Sequence, residues 1–346
     1  MRRFLPIIVA TLLIANVYHS TAQESEDQKR RSGMHSISSH ELFDYVKTMA
    51  SEKYGGRLTG TAGYDSSASW LAGHFEKWGV QPGAGADSYL QWFDIPYTRV
   101  FPGCSVSMHL PTGEGVIDKH YDYVSEFIPG ATSADGTVRA EVIYAGYGIT
   151  APELGYDDYQ GIDVRDKIVL IEREAPLNPR KNPEAFKKWE PYSYHQYKLK
   201  NAVKHGAAGM LYNYGPIVNP NNAYDEGFIY SHVGDSVVRD VFEGTGRTHQ
   251  EVAGAIRENL KPESFATGKE VSITNRTKHF PDGKGSNVIG LIEGNDPELK
   301  EEVILIGAHL DHLGKCWELI PGANDNASGV AVMMGVARAL KEYEIS

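Results

Sequence analysis

The chain has 346 residues and a formal net charge of −11, with 41% hydrophobic, 10% aromatic and 23% charged residues. The length predicts two domains, and the composition indicates a globular rather than a disordered chain. The acidic balance argues against a nucleic-acid-binding protein, which needs a basic face. The two cysteines, Cys104 and Cys316, are too few for a disulfide framework. We interpret Cys316 as a loop or packing residue rather than as a soft thiolate ligand.

The N-terminus has the pattern of a cleaved export signal. Arg2 and Arg3 supply positive charge, residues 4–18 form an apolar run, and the small residues 20–22 fit a cleavage site. The alternative is a membrane anchor, but a span needs about 20 apolar residues, which is more than this run contains. The sequence therefore predicts removal of residues 1–22, no membrane span afterwards, and a secreted or periplasmic protein.

The first elements after the signal are predicted to be a helix, a loop, a second helix and a strand. Ser38 and Glu41 have the spacing of a capping box, which predicts a helix start. The glycine-rich residues 55–63 must form a loop. Apolar residues at helical spacing then predict a helix over 64–78, and alternation predicts a strand over 88–96.

The sequence pattern changes over residues 115–275. Strands are predicted over 138–147 and 167–172, followed by a helix over 192–205 and a strand over 209–214. Long polar loops separate these segments. We interpret this region as an inserted or appended β-rich domain.

The C-terminal part returns to alternating strands and helices. Strands are predicted over 286–293 and 302–308, and the second is apolar at successive positions, which indicates burial on both faces. A helix is predicted over 327–343, with Asn326 or Ser328 as its cap.

A histidine and two aspartates lie between the last predicted strand and the last predicted helix, in a pattern that suits a metal ion. Residues 307–314 read Gly-Ala-His-Leu-Asp-His-Leu-Gly, so that His309 comes just after the predicted strand. Residues 321–329 place Asp325 just before the helix. Ligands gather beyond the carboxyl ends of parallel strands, and zinc accepts imidazole and carboxylate donors. Asp311, two residues after the histidine, is placed to orient a ligand. Taken alone, a His-x-Asp triplet is more often an ordinary strand end, and it is the second motif that favours a metal site.

The two motifs resemble those of the secreted co-catalytic zinc aminopeptidases. That family also includes glutamate-carboxypeptidase-like enzymes and the non-enzymatic transferrin-receptor ectodomain. Residues 56–63, Gly-Arg-Leu-Thr-Gly-Thr-Ala-Gly, match the N-terminal loop of the family, and residues 286–290 match the strand that enters its catalytic domain. The stretches 145–148, 166–170 and 202–209 resemble a protease-associated domain.

The resemblance implies an α/β fold with two parts. One is an incomplete doubly wound peptidase domain, with a mostly parallel sheet and flanking helices, expected over residues 23–114 and 276–346. The other is an inserted β-rich protease-associated domain over residues 115–275. The implied function is that of an exported zinc-dependent exopeptidase, most nearly an aminopeptidase acting on peptide substrates.

The family pattern also implies roles for individual residues. It makes His309 a terminal ligand of one zinc, Asp325 a bridging ligand between two zinc ions, and Asp311 the catalytic carboxylate that orients the centre. In the family, a metal-bridging water attacks the scissile carbonyl and a glutamate acts as general base. That glutamate and the remaining ligands come after the helix with which this sequence ends. We therefore expect the chain to be a fragment of a longer peptidase.

Alternatives remain open at this stage. The chain could be a non-catalytic binding protein on a peptidase scaffold, or a single-zinc transferase resembling glutaminyl cyclases. No Gly-x-Ser-x-Gly or His-Glu-x-x-His motif occurs. His312 is interpreted as a pocket-wall or solvent-exposed residue rather than as a metal ligand. The aromatic cluster around Trp189 is interpreted as packing rather than peptide contact, and Arg57 as a salt-bridge partner of the catalytic domain. Whether the amino or the carboxyl end of a peptide is recognised is left open.

Overall fold

The computed structural model describes residues 26–83, 87–219, 223–316, 318–343 and 345. The predicted signal peptide, residues 1–22, lies outside the described residues. The chain divides into two compact units. The first unit consists of the described residues up to Ile95, Asp282–Gly314 and the described residues from Leu319 onward, and the second consists of Pro96–Pro281 and Lys315–Glu318.

Both units contain helices and strands. The described helices are α1 (26–36), α2 (Ser39–Met49), α3 (Ala62–Trp78), α4 (Pro183–Ser193), α5 (His195–Lys204), α6 (Asp235–Phe242), α7 (His249–Asn259) and α8 (Ser328–Glu342). The described strands are β1 (Gln81–Pro82), β2 (Leu90–Asp94), β3 (Tyr97–Val100), β4 (Ser105–Thr112), β5 (Gly115–His120), β6 (Phe127–Pro129), β7 (Gly136–Tyr144), β8 (Thr150–Ala151), β9 (Tyr156–Asp157), β10 (Ile168–Glu172), β11 (Gly209–Asn213), β12 (Ile229–Val233), β13 (Phe265–Asn275), β14 (Thr277–Phe280), β15 (Lys284–Val288), β16 (Gly290–Leu291), β17 (Lys315–Cys316) and β18 (Glu318–Leu319). No helix in the described part of the chain has the length and apolar character that crossing a bilayer requires.

The first unit is built on three helices that share one apolar core. Helices α2, α3 and α8 bury side chains that recur every three or four positions, which is the spacing of one helix face. Met49, Leu71 and Met334 are among these buried side chains. Thr61 caps α3 through its side chain, and Gly79 ends the helix in the left-handed conformation.

The second unit contains an eight-stranded mixed sheet with the order β5-β4-β13-β7-β10-β11-β12-β6. Neighbours from β7 through β10 and β11 to β12 are parallel, and the other neighbours are antiparallel. Every residue of β10 is buried, as expected for a central strand covered on both faces. The chain passes through α4 and α5 between β10 and β11, which gives the predicted strand, helix, strand unit.

The α/β class is confirmed, and several predicted elements lie close to their observed positions. The helix predicted over 64–78 is α3, and the one predicted over 327–343 is α8. The helix predicted over 192–205 is α5, apart from its first two residues, which belong to the end of α4. Tyr194, which lies between the two helices, has extended backbone angles. The capping box is wrong: Ser38 makes no side-chain capping bond, and Glu41 instead accepts a hydrogen bond from the Tyr45 hydroxyl at 2.6 Å.

The boundaries of the second unit differ from those expected for the insert. It begins at Pro96 rather than at residue 115 and continues to Pro281 rather than to residue 275. The reason is strand pairing, since β4 pairs with β13 and β3 pairs with β14. The identity of this unit as a protease-associated domain stays a prediction.

The strand predicted over 302–308 is wrong. The described residues 302–314 form no regular secondary structure. Val303, Ile304 and Leu305 are 86%, 90% and 90% exposed. A strand forms only where a neighbouring strand takes its backbone hydrogen bonds, and none of the described strands pairs with this segment. In the first unit, β1 pairs with β16 and β2 pairs with β15, and both pairs are antiparallel. The parallel neighbours described above lie in the second unit.

Candidate metal centre

The structure brings together the three residues that the sequence singled out. His309 Nε2 lies 2.9 Å from Asp325 Oδ1. His309 Nδ1 lies 3.2 Å from Asp311 Oδ1 and 3.1 Å from the Asp311 carbonyl oxygen. All three side chains are about half exposed or more, so an ion could reach them from solvent.

The two aspartates and the histidine lie on short irregular segments. His309 and Asp311 belong to the segment 302–314, rather than to the end of a strand. Asp325 lies in the single turn Ala323–Ala327, which leads directly into α8. The predicted side-chain cap of α8 is wrong, because the Ser328 hydroxyl donates backward to the Asn324 carbonyl at 2.6 Å.

A buried arginine connects the two segments. Arg57 is fully buried, and its guanidinium donates to four carbonyl oxygens: Leu310 at 2.7 Å, Met49 at 2.6 Å, Pro321 at 2.9 Å and Gly322 at 2.8 Å. These bonds replace the salt bridge expected from the sequence. Burial lowers the pKa of Arg57, and the negative charges of Asp311 and Asp325 act in the opposite direction.

His312 lies beside the same turn. Its backbone N–H donates to the Arg57 carbonyl oxygen at 3.0 Å. A Cβ atom on Gly322 would lie 2.4 Å from the His312 ring, so the close approach requires glycine there. Burial lowers the pKa of His312, an effect that the negative charge of Asp325 opposes. A neutral imidazole is therefore favoured next to the candidate centre.

The donor pair fits part of a zinc site. Two donors at ~2.1 Å from a tetrahedral zinc ion are about 3.4 Å apart. The observed distance of 2.9 Å between His309 Nε2 and Asp325 Oδ1 is about 0.5 Å shorter, so the two side chains would move slightly apart to admit an ion. A zinc-bound histidine usually donates its second ring N–H to a carboxylate, which fixes the tautomer of the ring. The Asp311 carboxylate lies beside the second ring nitrogen of His309 and can take this part. Within the described residues, no group of three or more histidine, cysteine or acidic side chains converges on one point. At this position the described residues thus offer one imidazole and one carboxylate as candidate ligands.

A second polar constellation lies on the sheet of the second unit. Ser272 Oγ is 2.7 Å from His109 Nε2, and His109 Nδ1 is 2.6 Å from Asp118 Oδ1, which is the order of a catalytic triad. β13, which carries Ser272, is paired on both sides by β4 and β7. Its backbone N–H groups are therefore used within the sheet and cannot form an oxyanion hole. We interpret this row as cross-strand hydrogen bonding on the polar face of the sheet.

Comparison with known protein families gives a match in the C-terminal part of the chain. Residues 287–345 match the model of peptidase family M28, and this segment contains His309, Asp311 and Asp325. The matched segment is similar to that family and makes up less than half of the chain. A comparison with curated protein sequences gave no match.

Solved structures agree on the fold. The aminopeptidase from Aneurinibacillus sp. strain AM-1 has a TM-score of 0.56 at 19% identity, over 88% of this chain and 60% of that one. The peptidase M28 precursor from Shewanella amazonensis SB2B has a TM-score of 0.52 at 15% identity, over 92% and 64%. The zinc aminopeptidase from Bacillus subtilis has a TM-score of 0.50 at 21% identity, over 88% and 58%. At these identities the likeness concerns the fold, and the chain spans about three fifths of the length of these proteins.

Proposed function

We propose that this chain is part of an exported zinc-dependent exopeptidase, most nearly an aminopeptidase that hydrolyses N-terminal peptide bonds. The observation that carries the proposal is the 2.9 Å approach of His309 Nε2 to Asp325 Oδ1, with Asp311 on the other ring nitrogen. Two of the similar structures are described as aminopeptidases, one of them as a zinc enzyme. Export rests on the signal pattern of residues 1–22.

Each of the three side chains has a separate task in this proposal. His309 binds the ion through Nε2, and Asp325 binds it through its carboxylate. Asp311 accepts a hydrogen bond from the Nδ1–H of His309, which leaves the Nε2 lone pair free and fixes the ring plane. Bound zinc supplies a more acidic water and a polarised substrate carbonyl. The substrate class is a peptide or an amino-acid amide.

A complete two-zinc centre needs more donors than the described residues provide. Each zinc ion is held by about three or four ligands, and the described residues supply one imidazole and one carboxylate. We propose that the general base and the remaining ligands come from polypeptide outside these 346 residues. The coverage of about three fifths of each similar structure supports this proposal.

Zinc titration and peptide hydrolysis test the proposal. The 346-residue chain and a longer natural product containing it are titrated with zinc and assayed on a leucine amide reporter. We expect two zinc ions and turnover for the longer protein, and loss of both with His309→Ala or with a chelator. His40→Ala changes an exposed histidine of α2 and is the control. Zinc binding that is unaffected by His309→Ala would refute the proposed centre.

Two rival functions need fewer metal ligands than a two-zinc peptidase. A non-catalytic binding protein on a peptidase scaffold would need no complete metal centre. A longer protein that binds no zinc and hydrolyses no amide would support this rival. A single bound zinc, with cyclisation of an N-terminal glutamine instead of hydrolysis, would support a transferase related to glutaminyl cyclases.

A further inference from the structure

Arg57 has an unusual environment for a charged side chain. It is fully buried and has a left-handed backbone conformation, with φ of 51°. Its hydrogen bonds go to neutral carbonyl oxygens rather than to a carboxylate. Burying a cation in this way is costly unless its donors are satisfied. We therefore expect the buried guanidinium of Arg57 to have a specific structural or functional role.

The acceptors of Arg57 come from both sides of the candidate metal centre. Leu310 lies between His309 and Asp311, so one bond holds the segment that carries the imidazole. Pro321 and Gly322 precede Asp325 by four and three residues, so two further bonds hold the segment that carries the second donor. One planar group thus connects the two segments that contribute donors.

Backbone hydrogen bonds extend this connection. His312 N–H donates to the Arg57 carbonyl oxygen, and Gly314 N–H donates to the Gly56 carbonyl oxygen, each at 3.0 Å. Residues 56–57 therefore run beside residues 312–314. On the other side, Ala327 N–H donates to the Gly322 carbonyl oxygen at 3.1 Å, which closes the turn that contains Asp325.

We propose that Arg57 is the positioning residue of the metal centre, which sets the separation of His309 and Asp325 before any ion binds. This inference rests on the proposed function for the identity of the ion, but the positioning itself is a property of the metal-free chain. Arginine suits the task because its five N–H donors form a rigid fork, whereas the lysine ammonium is a single point. Lysine would keep the charge but could not reach all the same carbonyl groups.

Hydrogen exchange and zinc affinity together test the inference on the 346-residue chain. The reporters are the amides of His312, Gly314 and Ala327 in the metal-free protein. We expect them to be protected in the wild type and to exchange at least ~10-fold faster in Arg57→Lys, while amides of α3 and of the second unit keep their rates. Zinc affinity should fall about 10- to 100-fold, the range seen when partners of metal ligands are changed.

Arg338→Lys is the matched control, because Arg338 is mostly buried in the same unit and bridges Glu41 and Glu342. It should leave zinc affinity unchanged. If zinc binding requires His309 but has the same affinity in Arg57→Lys, the inference about Arg57 is overturned and the proposed function is not. Absence of zinc binding in the longer protein would overturn the proposed function instead. If Arg57→Lys does not unfold cooperatively, the variant is not folded and the wild-type protein provides the test. In that case, lack of protection of the His312, Gly314 and Ala327 amides in the metal-free wild type would refute the inference.

Discussion

A buried guanidinium and two adjacent glycines define the backbone path around the candidate centre. The sequence indicated His309, Asp311 and Asp325 through their motifs, and the structure places the two carboxylates within hydrogen-bonding distance of the imidazole. The contacts of Arg57 were missed, because its partners are carbonyl oxygens. Every residue carries a backbone carbonyl group, so the residue types in a sequence do not show which carbonyl groups will accept a hydrogen bond.

Gly55 and Gly56 provide a matched pair for testing the close approach between residues 56 and 314 beside the candidate centre. Both have left-handed backbone angles, with φ of 55° and 74°. An added Cβ meets nothing within 4 Å at Gly55, but at Gly56 it would lie 2.3 Å from the Gly314 carbonyl oxygen. We expect Gly55→Ala to lower the free energy of unfolding by about 1–2 kcal/mol, because a residue with a Cβ atom is strained in the left-handed conformation. Gly56→Ala should cost about 1–3 kcal/mol more, because backbone atoms must move apart.

Urea unfolding of the two variants measures this difference. Zinc affinity should fall only in Gly56→Ala, because the segment that carries His309 is displaced. Equal destabilisation by the two substitutions would contradict the close approach of residues 56 and 314.

Helices and strands differ in how well the sequence predicted them. Helices α3 and α8 lie within two residues of their predicted bounds, because a helix forms its hydrogen bonds within itself and its apolar spacing is local. The segment 302–308 has the composition of a buried strand but no partner strand in the described chain. An apolar run with unpaired backbone groups favours pairing with other chains.

Charged substitution of this exposed segment should reduce self-association. We expect Ile304→Lys with Leu305→Lys to raise the monomeric fraction, measured by size-exclusion chromatography with light scattering over a range of protein concentrations. The free energy of unfolding should change by no more than about 0.5 kcal/mol, because both side chains are exposed. Val332→Lys, at an exposed position of α8, serves as control and should leave association unchanged. A loss of several kcal/mol in the double variant would show that the segment is buried.

The two units of the chain differ in whether their residues are continuous in the sequence. The second unit is nearly one continuous stretch, Pro96–Pro281, with its own apolar core and an eight-stranded sheet. The first unit is assembled from separated stretches of the sequence. Composition and strand spacing were enough to predict a β-rich second part, but its boundaries moved because β3 and β4 pair with strands that lie more than 150 residues later.

A fragment of residues 96–281 should therefore fold independently. We expect a single cooperative transition in urea, with the same far-ultraviolet signal at equal protein concentration after refolding. Trp189→Ala should reduce its free energy of unfolding by about 3–5 kcal/mol, because Trp189 is buried and packs edge-to-face on Tyr156. Tyr194→Ala, at an exposed position, is the control and should have little effect. A gradual, non-cooperative loss of structure would contradict independent folding.

The sequence by itself determined the class of fold, the main helices, and the three side chains of the candidate centre. These features depend on residue type and on spacing along the chain, which a sequence displays directly. The tertiary structure decided that residues 302–308 are not a strand, that the second unit begins at Pro96, and that Arg57 binds carbonyl oxygens on both sides of the centre. Each of these depends on which backbone groups meet in space, and folding brings them together from parts of the chain whose distance in sequence gives no sign of it.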